Sequence, residues 1–227
     1  MKQVDIRGVI VPDDDLWIYE WFDMTATSPK CIRAALAEAN GDDVVVTINS
    51  GGGDVAAGQE IYTLLRSYTG KITIQVFSLA ASAASVIAMA GDSEISPVAQ
   101  LMIHNVSTGA RGDHRVMEHV AGVLINANEA LAAAYVAKTG KSKEDVLALM
   151  AKETWLTAEQ AVQEGFIDRV MFTESQAQPL RLAASLGTDL LPQNVIEYAK
   201  KHFNKKTATA TAAAQYQYLL MEGKLND

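Results

Sequence analysis

The 227-residue chain has very little cysteine, and this shortage limits how the fold can be stabilised. The one cysteine, Cys31, cannot form an internal disulfide, so a scaffold held together by disulfides is excluded. Because Cys31 lies in an apolar and apparently helical stretch, we expect it to be a buried, small hydrophobic residue.

Basic residues and long apolar runs are also scarce. The chain has 19 Lys and Arg against 27 Asp and Glu, and its net charge of −8 argues against binding to nucleic acid or to an anionic membrane. Residues 1–5 lack the apolar segment of a signal peptide, and no run of about 18 apolar residues follows. We therefore expect a cytoplasmic protein that does not contact a membrane.

The composition changes near residue 174 and predicts two parts. Residues 1–174 form a folded domain, whereas residues 175–227 contain a linker, an amphipathic stretch and a Thr/Ala-rich low-complexity run. Within the domain, strands alternate with helices about every 25 to 30 residues, which indicates an α/β fold with a mostly parallel sheet. Strands are predicted at 4–11, 44–47, 71–77, 93–96 and 99–104, and helices at 17–24, 28–40, 54–68, 82–91, 113–138, 142–150 and 157–164.

Three stretches carry residues that are suited to catalysis or to anion binding. Ser82 lies where a β-branched strand changes into a run of small helical residues; a hydroxyl beside unpaired helix N–H groups is a candidate nucleophile, the alternative being a simple N-cap. The glycines at 51–53 let backbone N–H groups approach an anion, or they form an ordinary turn. His104 ends an apolar strand and is a candidate base, or a structural histidine.

Taken together, these stretches resemble the ClpP family, the proteolytic subunits of Clp proteases. The family's Asn-Ser-Pro-Gly-Gly turn, Ala-Ala-Ser motif and Met-Ile-His strand are similar to residues 49–53, 80–82 and 102–104. Residues 155–168 are similar to a fourth family segment. The Glu-Thr-Trp-Leu sequence at 153–156 resembles the phage and prophage branch, which is associated with proteolysis during head maturation.

The resemblance implies a fold and a catalytic set. The fold would be the spiral of ββα units that ClpP shares with the crotonases, with a long projecting helix at 113–138. Ser82 would be the nucleophile and His104 the base of a serine endopeptidase. Glu153 stands where the family has its catalytic aspartate and would be the acid; Asp145 and Asp168 are the alternatives.

The same resemblance implies how substrate binds. The N–H groups of Gly53 and Ala83 would form the oxyanion hole. An extended peptide would pair with the backbone at 52–55 and 106–109, so that Gly52, Asp54, Val55 and Val106 contact it. We expect neither a metal nor a cofactor, because the sequence has no metal-ligand cluster and the glycine run lacks the Lys-Ser/Thr of a phosphate-binding loop.

The expected partners are a protein or peptide substrate and further copies of the chain. The family implies a homo-oligomeric ring, as a heptamer or a double ring, with the alanine-rich helix at 113–138 at a subunit contact. Family members carry an N-terminal segment that engages an ATPase, and this sequence begins almost at the first strand, so we expect a peptidase that is not coupled to an ATPase. Its substrate would be a phage capsid or scaffold protein. The alternatives are a catalytically silent assembly protein and a crotonase-type acyl-CoA enzyme.

Overall fold

The centre of the molecule is a sheet of eight strands, seen in a computed structural model that describes residues 2–172. The predicted linker and tail at 175–227 lie outside the described residues. The strands are β1 (Lys2–Ile10), β2 (Ala26–Thr27), β3 (Val44–Gly53), β4 (Ile72–Ala81), β5 (Asp92–Ile95), β6 (Gln100–Ile103), β7 (Thr154–Thr157) and β8 (Arg169–Val170).

The sheet is parallel except at one pair. Its main path runs β2-β1-β3-β4-β5-β8, and β6 pairs with β4 and with β7. Each neighbouring pair in this sheet is parallel apart from β6 and β7. The α/β fold with a mostly parallel sheet is therefore confirmed, whereas the antiparallel strand β7 was not anticipated from the sequence.

Seven helices accompany the strands of the described part. They are α1 (Leu16–Trp21), α2 (Pro29–Ala39), α3 (Val55–Arg66), α4 (Ala83–Ala88), α5 (His114–Thr139), α6 (Lys143–Ala151) and α7 (Ala158–Gln163). Their ends follow the sequence signals closely: Thr157 and Gln160 form the reciprocal capping box at the start of α7.

Strand β4 is longer than its sequence suggests. Residues 78–81 are Ser, Leu and Ala, which are weaker strand formers than the β-branched run before them. They stay extended because β6 pairs alongside, with Leu79 opposite Gln100 and Ala81 opposite Met102. This pairing carries β4 to the residue before Ser82.

The core packs on one face of the central strands. Ile48, Ile74 and Val76 lie on this face and have no exposed surface, whereas the alternate residues of β4, Thr73 and Gln75, are partly exposed. Each large apolar side chain buried in this way contributes roughly 1.5–3 kcal/mol, and every residue of α4 is buried as well.

The expectation that Cys31 is buried was wrong: its side chain is exposed. Helix α2 buries Ile32, Leu36 and Ala39, which recur at helical spacing on one face. Cys31 precedes the first of these residues by one position and so lies off the buried face.

Helix α5 divides into an exposed and a buried half. Its buried residues are Leu131, Ala132, Ala134 and Tyr135, all in the C-terminal half. In the other half Val123 and Ile125 are more than half exposed. Among the described helices, α5 alone is long and apolar enough to cross a membrane, by length and composition only. The search for an unbroken apolar run did not find it, because polar residues interrupt the helix.

Candidate active site

Ser82 occupies a strained turn between β4 and α4. Its backbone has φ 55° and ψ −127°, a conformation that costs a non-glycine residue about 1–3 kcal/mol. The Ser82 N–H donates to Met102 O at 3.0 Å, and the Ser82 carbonyl accepts from the Ser85 N–H at 3.0 Å. Ser82 is at the N-cap position, yet its side chain makes no capping hydrogen bond.

The Ser82 hydroxyl is turned toward His104. His104 directly follows β6, the strand that pairs with the end of β4, and its Nε2 lies 2.8 Å from Ser82 Oγ. In the tautomer that leaves Nε2 unprotonated, the imidazole accepts the hydroxyl proton. This contact gives a serine and a base within the distance that proton transfer requires.

Glu153 is near His104 along the backbone but does not hydrogen-bond to it. The β6–β7 ladder ends at the pair Ile103 and Thr154, and Glu153 precedes Thr154 in a turn where its φ is 50°. The Glu153 side chain is exposed, and its Oε1 accepts a hydrogen bond from Trp155 Nε1 at 3.2 Å. Over residues 2–172, no carboxylate hydrogen-bonds to His104, so the structure brings together Ser82 and His104 without an acid.

The two alternative acids are engaged elsewhere. Asp145 Oδ2 accepts from the Ser142 hydroxyl at 2.8 Å, at the start of α6. Asp168 Oδ2 accepts from the Ser93 N–H at 2.7 Å and from Lys138 Nζ. Burial opposes ionisation of Asp168, but the Lys138 ammonium and the Ser93 hydrogen bonds outweigh it and hold the pKa of Asp168 below its usual value. These bonds join α5 and β5 to Asp168, the residue before β8, so the Asp168 carboxylate has a structural role.

The glycine turn at the end of β3 passes close to Ser82. A Cβ on Gly52, where φ is 97°, would lie 2.6 Å from Ser82 Cβ and 3.0 Å from Ala83 N. A Cβ on Gly53, where φ is 149°, would lie 2.1 Å from Ile10 O. Both positions therefore require glycine, because the turn lies against Ser82 on one side and β1 on the other.

The backbone donors of this region are partly used within the fold. The Gly52 N–H donates to Ser50 Oγ at 3.1 Å, and the Asp54 N–H donates to Ile10 O at 2.8 Å. The Asp54 carboxylate accepts from the Ala57 N–H and caps α3. Ala83 is the first residue of α4, where an N–H group has no acceptor inside the helix.

A cleft of about 270 Å³ opens beside the two side chains. Gly52, Gly53, Val55, Ala83 and Val106, five of the predicted contacts, line it together with Ser82 and His104, whereas Asp54 and Glu153 do not. Three apolar residues of its wall, Met102, Leu131 and Tyr135, were not predicted from the sequence as part of the site. The sequence contained a signal for two of them, because Leu131 and Tyr135 are four residues apart and so lie on one face of α5.

The loop after His104 is tied to α5. The Val106 N–H donates to Asn128 Oδ1 at 2.7 Å, so this N–H already has a partner on the protein. Among residues 2–172 there is also no group of three or more His, Cys, Asp or Glu side chains that could hold a metal ion.

Comparison with known proteins identifies relatives of this fold and site. The Clp protease family model matches residues 22–174. The ATP-dependent Clp protease proteolytic subunit 2 of Tropheryma whipplei (strain Twist) is 26% identical over 160 residues, 68% of this chain and 89% of that protein. Subunit 1 of Chlamydia abortus is 30% identical over 138 residues, 59% of this chain and 72% of that protein.

A solved structure has the same fold. A ClpP1 mutant from Listeria monocytogenes superposes with a TM-score of 0.61 at 21% identity, over 74% of this chain and 90% of that one. This likeness confirms the fold class predicted from the sequence, and the long helix α5 is consistent with it. The family match and the relatives show that this chain belongs to the Clp protease family.

Proposed function

We propose that this chain is a serine-type endopeptidase in which Ser82 is the nucleophile and His104 the general base. The observation that carries the proposal is the 2.8 Å contact between Ser82 Oγ and His104 Nε2 at a strained strand-to-helix turn. A nucleophile on such a turn projects from the end of its strand, where the first N–H groups of the following helix lie beside it.

The reaction follows from these positions. His104 Nε2 takes the hydroxyl proton as Ser82 Oγ attacks the peptide carbonyl carbon, and the N–H groups of Gly53 and Ala83 stabilise the oxyanion. The imidazolium then gives the proton to the leaving amine, which departs and leaves an acyl-enzyme. Water, deprotonated by His104, releases the carboxylic acid and restores Ser82.

Glu153 is proposed as the acid that stabilises the imidazolium. It directly precedes Thr154, whose partner in β6 is Ile103, the residue before His104, and a carboxylate of either length suits this role. The side chain has to leave Trp155 Nε1 to reach the imidazole. That contact is also the observation that favours the second candidate function, a catalytically silent member of the family that only assembles.

The substrate is proposed to bind as an extended peptide across the cleft. Gly52, Val55 and Val106 line the cleft at the ends of two neighbouring chain segments, and extended peptides bind by backbone pairing in such places. Asp54 is less suited to direct contact, since it does not line the cleft and its carboxylate caps α3.

The first prediction concerns the nucleophile. A fluorophosphonate should add once to the native protein and not to Ser82→Ala, and peptide cleavage should fall at least about 10³-fold in that variant. Intact-mass analysis measures the adduct. Ser107→Ala is the matched control, because Ser107 is a second serine in the same cleft and should react like the native protein. An adduct that persists on Ser82→Ala would rule out this nucleophile.

The second prediction concerns the acid. Glu153→Gln should slow acylation about 10- to 100-fold, because an amide stabilises the imidazolium poorly. Trp155→Phe should speed acylation a few-fold, since it removes the competing donor, and this gain should vanish when Glu153→Gln is also present. Stopped-flow acylation rates of the four proteins provide the test. Equal rates for native and Glu153→Gln would exclude Glu153 as the acid.

The third prediction concerns assembly, which we propose to be a homo-oligomeric ring, a heptamer or a double ring, with the exposed half of α5 at a subunit contact. Val123→Glu should dissociate it by burying an unpaired charge, as sedimentation velocity would reveal. Val98→Glu is the control, because Val98 is an exposed apolar residue outside α5. If Val123→Glu leaves the native assembly unchanged, the α5 contact is incorrect.

The fourth prediction concerns the substrate. The resemblance of residues 153–156 to the phage branch supports a capsid or scaffold protein as the substrate, in a cytoplasmic head-maturation step. Incubated with such proteins from a phage of that branch, the native protein should cleave them without ATP or an ATPase, and Ser82→Ala should not. Gel electrophoresis with peptide mapping measures this; cleavage only after an unfoldase and ATP are added would contradict ATPase-independent action.

A further inference from the structure

A buried pair of hydroxyl groups joins α5 to the nucleophile turn. Ser85 Oγ lies 2.6 Å from the Ser82 carbonyl oxygen and 2.7 Å from Tyr135 Oη. Ser85 has no exposed surface and Tyr135 is 1% exposed. Hydroxyl groups so fully buried and hydrogen-bonded are costly to disturb, because water does not replace a lost partner.

The direction of both hydrogen bonds follows from their chemistry. The Ser82 carbonyl can only accept, so the single proton of the Ser85 hydroxyl is donated to it. Ser85 Oγ is then left with lone pairs, and the Tyr135 hydroxyl must donate to it. Burial raises the pKa of Tyr135 above its usual value, so the phenol keeps its proton.

The carbonyl that accepts the Ser85 hydroxyl proton belongs to Ser82, the strained residue. Its direction sets the ψ angle of Ser82, and it also accepts from the N–H groups of Ser85 and Val86 at 3.0 and 3.4 Å. If Ser82 relaxed to an ordinary backbone conformation, its carbonyl would turn away from these donors. The same rotation would change the direction of its Cβ and withdraw Oγ from His104 Nε2.

We propose that Tyr135 and Ser85 are positioning residues that hold Ser82 in its reactive conformation. Neither hydroxyl hydrogen-bonds to Ser82 Oγ or to the imidazole, so the two act through the Ser82 backbone. The proposal rests on the proposed function of Ser82 and names the residues that set its geometry. It differs from a purely structural role, in which the two hydroxyl groups would stabilise the fold without affecting the reaction.

The test is a double-mutant cycle of Tyr135→Phe and Ser85→Ala in the full chain. Each variant should acylate with a fluorophosphonate about 10- to 100-fold more slowly, as expected for a displaced nucleophile. Because Tyr135 acts through Ser85, the double variant should be no slower than Ser85→Ala. With a fluorogenic peptide, kcat should fall while KM stays unchanged for Tyr135→Phe, since phenylalanine keeps the ring that lines the cleft.

The matched control is Tyr68→Phe. The Tyr68 hydroxyl accepts from the Gly41 N–H at 2.8 Å and donates to Asp42 O at 2.9 Å, outside the cleft. Removing it deletes a tyrosine hydroxyl that makes two hydrogen bonds, one more than the Tyr135 hydroxyl makes, so Tm should fall while the acylation rate stays that of the native protein. A Tyr135→Phe variant that behaves in the same way would overturn the proposal, as would additive effects in the cycle.

Crystal structures separate a failure of this proposal from a failure of the proposed function. If the native protein does not react with the probe, the peptidase assignment fails. The positioning role is then decided by the distance from Ser82 Oγ to His104 Nε2, which should be 2.8 Å in the native protein and lost in Ser85→Ala. An unchanged distance in that variant would overturn the positioning role.

Discussion

The hydrogen bond between Ser82 and His104 depends on a backbone conformation that Ser82 would not adopt alone. The turn is unfavourable by about 1–3 kcal/mol, and the surrounding structure has to offset this. Three sources are visible: β6 accepts the Ser82 N–H, α4 donates N–H groups to its carbonyl, and every residue of α4 is buried. Strain at this residue is therefore sustained by the pairing of β4 with β6 and by the core beneath α4.

The same turn explains the glycines of the neighbouring strand. Gly52 has to lie so close to Ser82 that a side chain of any size would displace the nucleophile. Ser50 stabilises this approach from inside the fold, because its hydroxyl donates to Gly8 O at 2.6 Å and accepts from the Gly52 N–H. The Ser50 side chain thus stabilises the backbone of the turn, while the glycines leave space beside Ser82.

Local patterns in the sequence were sufficient for most elements, because each signal is contained in a short stretch. The pairing of Ser82 with His104 was instead expected from the resemblance of several separated motifs to the ClpP family. The Thr157–Gln160 capping box needs only four residues, and the parallel sheet follows from the alternation of strands and helices. The engaged N–H of Gly52 was not predictable, since it depends on which way the Ser50 hydroxyl points. Strand β7 was missed because it is short and is held extended by β6.

The orientation of the Glu153 side chain was also not predictable from the sequence. Its carboxylate has two possible partners, the Trp155 indole that it contacts and the His104 imidazole of the proposed reaction. Glu153 lies in the turn just before β7, with φ 50°, and there its carboxylate accepts a hydrogen bond from the indole N–H of Trp155. In the proposed reaction His104 becomes a cation, and a hydrogen bond to a charged donor is roughly twice as strong as one to a neutral donor. Catalytic contacts are often incomplete without substrate and tighten as charge develops. The resting position of this carboxylate is thus the one expected when no imidazolium is present to attract it.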